Sequence, residues 1–165
     1  MYILKKPVDH PWDEQTEVPI GKMSKNESVE GLKKEIQKCW DDGEVATYDS
    51  LLQLCSLAGV NTATEHGWTP LMVIMGNPLG DMNAIDTLVK LRVSIDAQDD
   101  EGWTCLHWAA YHNNVGGVEK LMETVGSVPV LKLLTVKNKE GLTALEVAKK
   151  NGQLNFENWL QATVK

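Results

Sequence analysis

The sequence predicts an all-α fold: a solenoid of stacked helix-turn-helix units with short β-hairpin loops, preceded by an extended N-terminal arm. Three observations lead there. EHGWTPLMVIMGN from Glu65, DEGWTCLHWAAYHNN from Asp100 and KEGLTALEVAKKNGQ from Lys139 repeat one pattern: a polar tip, then Gly, Trp or Leu, Thr, a small residue or Pro, and Leu. Their glycines, Gly67, Gly102 and Gly141, stand 35 and 39 residues apart, close to a helix-pair period of about 33. The helices that follow each tip are too short to be stable alone, so each pair must bury its apolar face on a neighbour.

Taken in order, residues 1–26 carry no repeat character. PVDHPWDEQTEVPIG holds three prolines, four acidic groups and one tryptophan, a composition suited to an extended arm. Trp12 either rides in a loose leader or anchors that arm along the solenoid or a partner. Residues 27–165 read as one repeat domain. SVEGLKKEIQKCW (Ser28–Trp40) sets Val29, Leu32, Ile36, Cys39 and Trp40 on one helical stripe, with Ser28 as N-cap. Asp41–Gly43 breaks that helix, and YDSLLQLCSL (Tyr48–Leu57) supplies a second, giving an atypical N-terminal capping unit.

Three more units follow. Their first helices are expected at about 69–76, 104–112 and 143–150, capped by Thr69, Thr104 and Thr143, with Pro70 at a first helical position that needs no N–H. Their second helices, at about 81–91, 115–125 and 154–162, repeat apolar residues at helical spacing: Ile85, Leu88 and Val89; Val118, Leu121 and Met122; Phe156, Trp159 and Leu160. GNPLGD (Gly76–Asp81) lengthens one turn, and VGSVPVLKLL (Val125–Leu134) inserts an apolar stretch in which Pro129 obstructs a continuous helix.

GWTPL at Gly67–Leu71, GWTCLHWAA at Gly102–Ala110 and GLTALEVAKKNG at Gly141–Gly152, joined by VSIDAQDDEG at Val93–Gly102, resemble the ankyrin repeats. The resemblance covers residues 64–165 strongly, with a weaker copy ending in LAGVNTATEHG before it. It implies that His107 joins the Thr104 region to the adjacent unit by hydrogen bonds, a role absent where Met72 and Glu146 stand instead. It also implies a concave recognition face built from the tips and the exposed side of each first helix. Carried onto this chain, that face comprises Glu65, His66, Trp68, Gly76 and Asn77; Asp100, Glu101, Trp103, Tyr111 and His112; and Lys139, Glu140, Leu142, Lys150 and Asn151. The partner-binding set expected within it is Glu65, His66, Trp68, Asp100, Glu101, Trp103, Tyr111, His112 and Leu142. Trp68, Trp103 and Leu142 occupy equivalent places, forming an apolar ladder that is either an interface or packing between neighbouring hairpins.

Chemistry of other kinds fits poorly. A formal net charge of −7 repels phosphate backbones, and no apolar run reaches the ~20 residues of a bilayer span. The N-terminus lacks the apolar core and cleavage site of a secretory signal. Cys39, Cys55 and Cys105 show no paired spacing, as expected of reduced thiols in an intracellular protein, cytoplasmic or nuclear. Cys105 and His107 are two apart and His107 and His112 five apart, so neither pair shares a helix face as a zinc pair does. Cys105 fits a small structural position, although a helix N-terminus there favours a depressed thiol pKa. No metal, cofactor or catalytic group is expected. The sequence therefore predicts a monomeric, non-catalytic module that binds another protein or peptide through its hairpin tips and concave face. The alternative is a small inhibitor of an enzyme or transcription factor that uses the stack plus the N-terminal arm.

Overall fold

A computed structural model describes residues 22–42 and 47–163. Trp12, nearly all of the expected arm and Gly43 of the first break lie outside them. Among the described residues the fold is all-helical and without strands: α1 (Lys25–Asp42), α2 (Asp49–Ala58), α3 (Pro70–Met75), α4 (Ala84–Lys90), α5 (Cys105–Tyr111), α6 (Val115–Val125), α7 (Ser127–Leu133), α8 (Ala144–Lys150) and α9 (Leu154–Thr163). The helices α1, α3, α5 and α8 pack in succession as one row, and α2, α4, α6 and α9 as a second row behind it. Between the rows runs a continuous core that includes Leu32, Ile36, Leu51, Leu71, Ile74, Ile85, Leu88, Leu106, Leu121 and Phe156, all fully buried.

The helix starts follow from local chemistry, with one correction. Thr69 and Thr143 accept from the backbone N–H groups of Met72 and Glu146, and Pro70 opens α3. The first helix starts one turn before Ser28. The Ser24 N–H donates to Glu27 Oε2 at 2.7 Å and the Glu27 N–H to Ser24 Oγ at 3.3 Å. Ser24 prevails because a Glu three residues on lets two orphan donors be satisfied together. Ser28 is instead buried, its hydroxyl donating back to the Ser24 and Lys25 carbonyls.

The hairpin tips close without forming strands, and the reason is a side chain. In the third tip the Asp99 N–H donates to the Trp103 carbonyl at 2.9 Å, but the returning Trp103 N–H donates to Asp99 Oδ1 rather than to a backbone oxygen. Thr64 Oγ1 and Asn138 Oδ1 take the same role for Trp68 and Leu142. A side-chain acceptor closes the turn in one step and leaves no ladder to extend. Successive tips are joined by single backbone bonds, Asp100 N–H to His66 O and Lys139 N–H to Glu101 O, each 3.0 Å.

Both insertions have structure. After Gly76 the chain bulges over Tyr48, whose buried phenol oxygen accepts from Asn77 Nδ2 at 2.9 Å. Gly80 lies against that ring so closely that a Cβ there would collide with it. Pro129, expected to obstruct a helix, lies in the first turn of α7, where no intrahelical N–H is required. Gly126, at φ +89°, separates α6 from α7, and Val130 and Leu133 bury the short helix against α6.

Candidate functional site

The tips and the first helices bring the aromatic residues to one face. Trp40, at the end of α1, stacks on Trp68 with ring centroids 4.6 Å apart and 22° between planes. It also meets Trp108 in a T-shaped contact, with centroids 4.3 Å apart and 83° between planes. Trp108 in turn contacts Trp103 at 4.6 Å, and Tyr111 and His112 close the row against Trp103 and Trp108. His66 flanks the other end, 5.0 Å from Trp68. The result is one aromatic band across three units, with all four indoles half-buried.

The geometry explains how each member is held. Gly76, the C-cap of α3, leaves room for Trp40: a Cβ there would lie 3.3 Å from Trp40 Cζ3. Asp99 is the main clamp. Its Oδ1 accepts from the Glu101 and Trp103 N–H groups at 3.0 and 2.8 Å, and its Oδ2 accepts from Trp108 Nε1 at 3.0 Å. One buried carboxylate thus sets both the turn and an indole of the helix that follows.

Two depressions flank the band and share Trp103 and Trp108. The larger, about 670 Å³, lies on the helix side between Trp40, Pro78, Leu79, Tyr111 and His112. Leu79 is 76% exposed and Tyr111 40%. The smaller, about 370 Å³, lies at the tips among Trp68, Trp103 and Trp108, with Asp99, Asp100, Glu101, Glu140 and His66 around it. Crowding among the rings lowers the His112 imidazole from its ordinary 6.5.

The expected site residues therefore divide. Trp68, Trp103, Asp100, Glu101, His66, Tyr111 and His112 line the depressions, whereas Glu65 and Leu142 line neither. Of the ladder positions, Trp68 and Trp103 connect through Trp40 and Trp108, and Leu142 has no ring to carry the row onward. Sequence reasoning took Trp40 for core and overlooked Trp108, Asp99 and Leu79 as site residues. The register held a usable signal, because Trp108 stands where the sister units place Val73 and Val147.

His107 has a structural task. Its buried ring accepts at Nδ1 from the Thr104 N–H at 3.1 Å, which puts the proton on Nε2, and Nε2–H donates to the Leu142 carbonyl at 3.0 Å. Burial lowers its pKa from 6.5, partly offset by the bond to Leu142. Cys105 departs from the expected depressed pKa. Its thiol is buried, donates to the Ile95 carbonyl at 3.4 Å, and is pushed up to about 12 by desolvation. A thiol in that state is a poor nucleophile. Among the described residues no group of three or more His, Cys, Asp or Glu is placed to hold a metal, and no helix is long and apolar enough to cross a membrane.

Residues 71–122 match the family model described as ankyrin repeats in many copies. The chain is 37% identical over 59 residues to the calmodulin-binding transcription activator CBT of Oryza sativa subsp. japonica, covering 36% of this chain and 6% of that protein. It is 34% identical over 73 residues to the human ankyrin repeat and SOCS box protein 3, covering 44% and 14%. It is 28% identical over 96 residues to the mouse ankyrin repeat domain-containing protein 40, covering 47% and 26%. The chain thus matches only a minor part of the length of each of these relatives.

Proposed function

Because the chain belongs to the ankyrin-repeat family, whose repeats are in general protein-interaction modules, we propose that it is a non-catalytic binding module that holds a protein partner against its aromatic band. The observation that carries this reading is the band itself. Four half-buried indoles from three units meet on one face, beside Leu79, which is 76% exposed. Folding alone gives no reason to leave a leucine and a tyrosine in water beside four indoles, whereas partner binding does. In this reading apolar side chains of the partner enter the 670 Å³ groove, while Asp100 and Glu101 set orientation.

The test is a binding measurement on the full chain with a partner captured by affinity purification. Trp103→Ala is expected to weaken binding by about 2 kcal/mol or more while the unfolding transition stays cooperative. Tyr111→Ala, at a more exposed position, serves as a second variant that disturbs the fold less. Unchanged affinity in both would remove the band from the interface and the reading with it.

A further inference from the structure

We infer that the smaller depression, at the tips, is a seat for an arginine side chain in a basic segment of the partner. This rests on the proposed binding role of the aromatic band and names the chemistry it would recognise. The depression has about 370 Å³ of space, walls made by the indoles of Trp68, Trp103 and Trp108, and no Lys or Arg in its lining. Around those walls stand the exposed carboxylates of Asp100, Glu101 and Glu140.

Each wall and rim group argues for the same occupant. Indole faces carry negative potential and attract cations that stand over them. An apolar side chain would cover the indoles but offer nothing to the Asp100 and Glu101 carboxylates beside it, and an anion would be repelled by them. A guanidinium satisfies both sets at once: its plane stacks on an indole while its edge N–H groups reach carboxylates. An ammonium is a compact, strongly hydrated charge without that planar fit.

The aspartate below the rim is already used. Asp99 is 8% exposed and its two oxygens hold the Glu101, Trp103 and Trp108 N–H groups, so it fixes the walls and the outer three carboxylates remain for the ligand. One of these already carries a cation from the chain itself: Lys150 Nζ lies 2.6 Å from Glu140 Oε2. Both side chains are more than half exposed, at 61% and 55%, and an ion pair so exposed is held weakly enough to yield to a stacked guanidinium.

The test uses the full chain and a phage-displayed library of random peptides, panned against the wild type. Selected peptides should share an arginine. Fluorescence anisotropy with synthetic versions then compares that residue as Arg, Lys, trimethyl-Lys and citrulline, the last being a neutral isostere of arginine. We expect Arg to bind best and citrulline to lose about tenfold or more. The double variant Asp100→Asn/Glu101→Gln changes two exposed rim side chains. It should narrow the difference between arginine and citrulline several-fold without moving the unfolding midpoint.

Three results would overturn the inference: selected peptides without a basic residue, tighter binding of Lys or trimethyl-Lys than of Arg, or equal binding of Arg and citrulline. If these occur while Trp103→Ala still abolishes binding, the arginine seat fails and the aromatic interface stands. If the selected peptides bind Trp103→Ala as well as the wild type, the interface fails first and the seat with it.

Discussion

The third and fourth tips, Asp99–Trp103 and Asn138–Leu142, share one backbone and differ in what they hold. Each first residue donates its N–H to the fifth residue's carbonyl at 2.9 Å, and each glycine N–H returns to the first carbonyl at 2.9 Å. Gly102 and Gly141 sit at φ +75° and +78°. In the third tip, Asp99 uses both carboxylate oxygens, and the second grips Trp108 of the following helix. In the fourth, Asn138 uses its oxygen on the turn, while its buried Nδ2 has no partner among the described residues. Val147 stands where the third unit has Trp108. The turn is therefore generic framework, and a single residue pair converts it into one that positions an aromatic surface.

The sharpest way to break the comparison is at the link between the two units. His107 spans them, bonding Thr104 in one and Leu142 in the other. Its counterpart Glu146 only closes a local capping box with Thr143, at 2.7 Å. His107→Ala leaves the buried Thr104 N–H and the half-buried Leu142 carbonyl unpaired and a void, and is expected to cost about 3 kcal/mol in urea unfolding. Glu146→Ala should cost clearly less, since its capping bonds are exposed. Equal losses would mean that His107 serves only its own helix.

The same histidine gives a pH signature. Its folded-state pKa is lowered from 6.5 by burial, so the folded state favours the neutral ring. That contribution to stability is fully present above pH 6.5 and is lost as pH falls below it toward the folded value. His107→Gln keeps an acceptor for Thr104 and a donor for Leu142 without a titrating group. Thermal melts across pH 5 to 8 should therefore show a shallower acid decline for the variant (about pH 6.5 downward), with the lowered His112 retaining part of the slope.

Next in size is the clamp. Asp99→Asn makes the third tip like the fourth: one oxygen can still close the turn, but an amide N–H₂ now faces the Trp108 N–H. The expected cost is about 1–3 kcal/mol, with a red shift of tryptophan emission as the band loosens. A loss of stability with unchanged emission would show that Trp108 is held by its neighbours' rings rather than by Asp99.

The glycines then separate inner from outer units. Gly141→Ala meets only the strain of a positive φ, about 1 kcal/mol, because nothing among the described residues lies within 4 Å of the new Cβ. Gly102→Ala adds a close approach, with its Cβ 3.1 Å from the Lys139 nitrogen, and should cost about 1 kcal/mol more. Identical midpoints for the two variants would imply that the tips are not pressed together as their backbone bonds indicate.

What could be read from the sequence follows the reach of each signal. Gly102, Thr104 and Pro70 act within a few residues, so the turns, caps and first helices were legible. The aromatic band was not, because its contacts join distant units. Trp40 lies on a stripe with Leu32 and Ile36 that reads as core, and only the packing of α1 on α3 brings its ring over Trp68. Leu142 shares its turn position with two tryptophans, yet position says nothing about reach, and beside Val147 it extends no band. For Cys105, the helix-terminus argument lost to desolvation, since the thiol is sealed beneath the Ile95 carbonyl.

The smallest effect tests the fourth tip directly. Asn138 is 6% exposed, and its Nδ2 pairs with nothing among the described residues, a state that costs stability when the donor is buried. Thr64 closes the equivalent turn of the second unit with Oγ1 alone, accepting the Trp68 N–H at 3.2 Å. Asn138→Thr keeps an acceptor for the Leu142 N–H and removes the orphan donor. Its gain is offset by the weaker, branched acceptor, so the midpoint in urea should shift by about 0.5 kcal/mol or less, toward greater stability. A loss of about 2 kcal/mol or more would show that the amide has a partner in solution, and that the side chain of the fourth tip is engaged as fully as that of the third.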